Sequence, residues 1–131
     1  MNLKVRIMNL VNRAQAEHDK LGQDRIDFAV WDKTQAELEK ECYEIEMAAG
    51  PGLQVGRVVS FGVADGSASY IITKIRKNDV IVEHLPFGDA YWSHAVGLSP
   101  DKRHYIVNRH TAEMLCRGEP MKPWSMERAK A

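Results

Sequence analysis

Five histidines, two cysteines and a cluster of aromatic residues carry whatever chemistry this chain could perform. The histidines are His18, His84, His94, His104 and His110. A metal centre needs ligands at short spacing on one element, and no HExxH or other close pair is present. His84 and His94 flank the Pro86 to Asp89 turn, where hairpin pairing would set His84 against Tyr91 and His94 against Ile81 on opposite faces of the sheet. One ion cannot reach both, so the expectation is no metal and no cofactor. Cys42 and Cys116 are far apart and outside any CxxC pair, which signals buried thiols and neither a zinc ribbon nor a disulfide framework. GxSxG is absent, and neither cysteine has a recognisable activating neighbour. Gly50-Pro51-Gly52 precedes a strand where a phosphate-binding loop would open a helix, so it reads as a linker. These residues point to a binding protein and away from an enzyme.

The aromatics carry more signal. Phe87, Tyr91 and Trp92 fall around Gly88-Asp89, with Tyr70 on the preceding hairpin, Tyr105 on a later strand and His94 close by. Flat rings at a loop rim supply contact area at little entropic cost, so Phe87, Asp89, Tyr91 and Trp92, with Tyr70 and His94 as neighbours, form the candidate binding face. Alternation puts Tyr91 and Trp92 on opposite faces, and core packing is the competing reading for one of them. Phe87 either projects from its turn to meet a partner or is buried by the N-terminal helices. A second surface is basic: Lys74, Arg76 and Lys77 on one strand, with Arg103 and Arg109 near the C-terminal helix, make nucleic acid the alternative partner. Alternating lysines also protect an exposed edge strand, which weighs against that reading.

The elements that position these residues follow from periodicity. Leu3, Ile7, Leu10, Val11, Ala14, His18 and Leu21 recur at helical steps, giving an amphipathic helix over residues 3–21 stopped by Gly22. Gln23 to Trp31 is ambiguous: Ile26, Phe28 and Val30 alternate as in a short strand, or pack a loop. Thr34 with Glu37 has the form of a capping box, opening a second helix over 34–49 with Leu38, Cys42, Ile45 and Ala49 as its apolar stripe. From Val55 the period becomes two. Arg57 to Ala64 and Ser67 to Lys77 flank Asp65-Gly66, which suits a type I′ turn with positive φ at Gly66. After a turn at Asn78-Asp79 come Val80 to Leu85, Ala90 to Leu98 and Arg103 to Val107 as third, fourth and fifth strands. Asn108 then caps a short helix over 109–117, closed by Gly118.

The expected fold is therefore α+β. A five-stranded antiparallel meander closes into a small SH3-like barrel, with two N-terminal helices and a short C-terminal one; an open sheet with helices on one side is the alternative. Residues 1–118 form one domain and residues 119–131 a loosely held tail in which only Trp124 is expected to dock. With 131 residues there is room for one core.

The segment VVSFGVADGSASYIITKIRKNDVIVEHLPFGDAYWSH, from Val58 to His94, resembles small uncharacterised proteins of bacterial phages, plasmids and integrated elements. Its VSF-x-VADG hairpin, lysine-rich strand, VEHL strand and GDAYW turn carry the likeness. The resemblance implies a mobile-element accessory protein that acts by binding, and it lends no catalytic residue.

Charge and hydropathy limit the partners. There are 18 basic and 18 acidic residues, so the chain is neutral overall, which disfavours a polyanion-coating protein. The neutrality hides a dipole: residues 23–50 hold eight acidic against three basic residues, while residues 99–131 hold seven basic against four acidic. That dipole could pair within the fold, across a homo-oligomer or with a separate partner. No apolar run approaches the roughly 18 residues of a membrane span, and Lys4, Arg6 and Asn9 interrupt any signal-peptide core, so a cytoplasmic location is expected. Three functions follow in order: a protein-binding module acting on a host or defence component, a nucleic-acid-binding regulator, and a small enzyme or nucleotide-binding protein with a pocket near Tyr91 and His94.

Overall fold

The computed structural model describes residues 2–21, 28–63, 66–85 and 104–116, and for residues 18, 21, 28–31, 61–63 and 66–68 it describes the backbone alone. Along them run α1 (Leu3–Leu21), α2 (Phe28–Ala49), β1 (Val58–Val63), β2 (Gly66–Ile75), β3 (Asp79–Leu85), β4 (His104–Asn108) and α3 (Arg109–Leu115). The first helix has the bounds its periodicity predicts. The second starts six residues earlier than expected: Phe28 to Trp31 is helical, and Thr34 lies inside the helix, where it cannot act as an N-cap. No glycine or proline interrupts Phe28 to Ala49, so the alternation of Phe28 and Val30 yields to helix continuation. At the far end Gly50 has φ +89° and donates its N–H to the Glu46 carbonyl, ending α2 with a left-handed residue.

The four strands form one antiparallel sheet in the order β1-β2-β3-β4. This corrects the expected five-stranded closed barrel. Val80 pairs with Ile75 on one side and Val107 on the other, so both edges of β3 are taken by β2 and β4. The side of β3 expected for Ala90 to Leu98 is held by β4 from Asp79 to Glu83. Ile81 lies between Lys74 and Ile106. Residues 90–98 themselves lie outside the described residues. The first hairpin is also corrected: Val63 pairs with Gly66, which makes Gly66 the first residue of β2 and moves the centre of the turn to 64–65.

A barrel has one interior, whereas this sheet buries side chains on both faces. Cross-strand partners share a face. Val58, Ile71 and Leu85 therefore look one way, into a core completed by Ile7, Leu10, Val11 and Ala14 of α1 and Leu38, Cys42 and Ile45 of α2. Val59, Ile72, Val80 and Val82 look the other way, against Ala112 and Cys116 at the C-terminal helix. The helices thus cover both faces, so neither closure nor the one-sided open sheet describes the molecule.

One irregularity in β2 reconciles sequence with pleat. Ile72 and Ile75 are three apart, which strict alternation would send to opposite faces. The register shifts between Ile72 and Lys74, leaving Thr73 as a bulge, so that Ile72 pairs with Val82 and Ile75 with Val80 on the same face. Lys74 is turned outward, opposite Ile81.

α3 begins where β4 ends. Asn108 Oδ1 accepts from His110 N at 2.9 Å and Thr111 N at 3.4 Å, the N-cap that the sequence predicts. The described helix ends at Leu115, two residues before the expected end, and Arg117, Gly118 and the tail lie outside the described residues.

Candidate functional site

The sheet face that carries α3 is only half covered by it. Ala112 and Cys116 seat α3 over Val59, Ile72, Val80 and Val82. Farther along the same face, beyond Ile72 and Val82, the register places Tyr70 opposite His84, and Tyr105 beside them on β4. The Tyr70 ring lies 5.3 Å from the His84 ring and 5.2 Å, edge-on, from that of Tyr105. These separations suit tilted and T-shaped aromatic contacts. His84 is buried, Tyr70 half-buried, and Tyr105 is 46% exposed. β-pairing alone creates this group, because its members stand far apart in the chain.

Of the expected binding residues, Tyr70 is therefore placed in an aromatic cluster. Phe87, Asp89, Tyr91, Trp92 and His94 lie outside the described residues, between Leu85 at the end of β3 and His104 at the start of β4 in the sequence. Both points flank the cluster, since His84 and Tyr105 are their immediate neighbours in sequence.

The opposite face of the same two strands holds a pair that sequence reasoning missed. His104 Nδ1 lies 2.8 Å from Glu83 Oε1, with the carboxylate 6% exposed and the imidazole 46% exposed. The pair is a consequence of the register Glu83 to His104. Only knowledge of which strand neighbours β3 could have revealed it. No group of three or more metal-ligating side chains occurs among the described residues.

The basic residues separate into paired and unpaired members. Arg109 donates to the Arg76 carbonyl at 3.1 Å and its backbone N–H to the Asn78 carbonyl, which ties the start of α3 to the β2–β3 turn. Lys74, Arg76, Lys77 and Arg109 therefore gather at one end of the sheet. Arg76 is bound to Asp79, however, and Arg109 to Glu113 at 3.1 Å, so two of the four cations are locally neutralised. Arg103 lies outside the described residues.

A buried ion pair organises the junction of α2, β1 and α3. Arg57, 3% exposed, donates Nε to Glu46 Oε2 at 3.2 Å and Nη1 to the carbonyls of Gly52 and Cys116. Glu46 Oε2 also accepts from Val58 N at 2.9 Å. Burial raises the Glu46 carboxyl above its ordinary range and outweighs the opposing pull of the Val58 N–H and Arg57. Gly56 allows the close approach here: it has φ +100°, and a Cβ would sit 3.2 Å from that of Ala49.

Both cysteines are buried, as expected, and burial raises both thiols, with nearby glutamates adding to the effect at Cys42. A thiolate nucleophile is accordingly disfavoured at either position. A groove of about 480 Å³ runs between α1 and α2, floored by Leu10 and Leu38. Ion pairs from Arg6 to Glu41 and from Arg13 to Glu37, at 3.0 and 2.9 Å, span it. It contains no aromatic residue and none of the expected site residues. No helix among the described residues is long and apolar enough to cross a membrane.

Compared with protein-family models, with curated proteins and with solved structures, the chain matches none.

Proposed function

We propose that the chain is a non-enzymatic protein-binding module whose contact surface is the aromatic half-face of the sheet, centred on Tyr105 and Tyr70. One observation carries the reading. A tyrosine 46% exposed, Tyr105, is braced edge-on by a second tyrosine, Tyr70, which in turn packs on the buried His84. Rigid, half-exposed rings of this kind anchor protein interfaces, because little side-chain entropy is lost when they are covered. Burial raises both thiols, which weighs against a cysteine nucleophile at either position. The resemblance to mobile-element proteins suits an accessory protein acting on a host or defence component inside a bacterium. Capture from a bacterial lysate by wild type, and its loss in Tyr105→Ser at unchanged thermal stability, is the expected result.

Nucleic acid is the second reading, favoured by the convergence of Lys74, Arg76, Lys77 and Arg109 at one end of the sheet. With Asp79 and Glu113 already bound to the two arginines, the cluster offers little net charge to a phosphate backbone. Oligonucleotide retention that falls steeply with salt would be its signature.

A further inference from the structure

We propose that β4 pairs edge to edge with the β4 of a second copy, joining two four-stranded sheets into one. Native edge strands are blunted by lysine, proline, bulges or a covering element. β4 reads His-Tyr-Ile-Val-Asn: it has no proline and no lysine, and it pairs with β3 in unbroken register. Among the described residues nothing hydrogen-bonds to its other edge. Both its faces are open as well, with Ile106 67% exposed on one and Tyr105 46% exposed on the other.

The chemistry of an open edge asks for an extended strand, and a second copy supplies it by symmetry. Antiparallel pairing about a two-fold axis at Ile106 sets Ile106 against its own counterpart and Tyr105 against Val107 of the other copy. The same patch serves both copies, so the assembly closes as a dimer. Electrostatics do not oppose it, since the chain is neutral overall and the one basic side chain of β4, His104, is already held by Glu83. A five-residue strand buries less than the roughly 800 Å² per partner of a standard interface, so the dimer is weak. The proposal rests on the backbone edge and does not depend on the identity of the aromatic face's partner, although Tyr105 borders both surfaces.

Sedimentation equilibrium of the full chain tests it over about 10 µM to 1 mM, the range in which a small interface associates. The average mass is expected to climb from 14.9 kDa towards twice that value. Ile106→Lys, which sets like charges against each other on the axis, is expected to weaken association at least tenfold while leaving the thermal midpoint in place. Ile106→Cys adds one exposed thiol to a chain whose native thiols are buried, and a short bismaleimide should join two copies through it; Met47→Cys, exposed on α2, should not be joined. A mass that stays at one chain throughout, association unchanged by Ile106→Lys, or equal cross-linking at both positions would overturn the proposal.

Discussion

Removing the Glu46 carboxylate is expected to cost more stability than any single surface change. Glu46 Oε2 receives both Arg57 Nε and Val58 N, and Arg57 is 3% exposed. Glu46→Ala takes the carboxylate away from a buried guanidinium that also holds the Gly52 and Cys116 carbonyls, and takes the acceptor away from the Val58 N–H. Breaking one side of a buried ion pair costs about 3 to 5 kcal/mol. Glu46→Gln keeps an acceptor for Val58 N, so its cost should approach the ~1 to 3 kcal/mol of a single unmatched buried polar group. Urea denaturation followed by circular dichroism, with unchanged slope, reads both values. The Arg57 bond to the Cys116 carbonyl adds a local readout, because loss of Glu46 should loosen the end of α3 and make Cys116 reactive before Cys42. A Glu46→Ala variant within about 0.5 kcal/mol of wild type, the range of ordinary surface substitutions, would refute the reasoning.

Other outcomes follow from the same geometry. In the native protein Cys42 and Cys116 should both resist a disulfide reagent at mildly alkaline pH, and both should react after unfolding; fast reaction of either in the native state would contradict its burial. The Glu46 carboxyl has a raised folded pKa, so the part of its contribution that depends on the bound proton is fully present below the ordinary carboxylate value of about 4 and is lost as pH rises through the raised one, while its bonds to Arg57 and Val58 remain. Wild type should therefore lose stability relative to Glu46→Gln as pH rises across that interval, and a difference independent of pH would count against the burial effect. Asn108→Ala should cost about 1 kcal/mol through loss of the α3 cap, measured by thermal or urea unfolding.

What could be read in the chain depended on the range of the interaction. The α1 stripe was legible because helix periodicity is local, and Ile7, Leu10, Val11 and Ala14 are buried as predicted, as are Leu38 and Ile45 of α2. The Asn108 cap was legible for the same reason. Strand neighbours were not. Alternation gives β3 two faces but does not say which strands flank it, so the adjacent Ala90 to Leu98 was chosen where His104–Asn108 stands. That choice produced the barrel and hid the Glu83–His104 pair. The start of α2 was missed because Phe28 and Val30 suit a strand as well as a helix. Tyr70 touches His84 and Tyr105 through a register that only the sheet defines, and its expected companions Phe87, Tyr91 and Trp92 lie outside the described residues.

The most direct test of the binding face compares partner retention by three immobilised proteins of equal thermal stability: wild type, Tyr105→Ser, and Lys74→Gln combined with Lys77→Gln. The aromatic half-face predicts a partner retained by wild type and by the lysine variant and lost by Tyr105→Ser. Retention that survives Tyr105→Ser but disappears with the two lysines would move the functional surface to the basic end of the sheet and contradict the assignment.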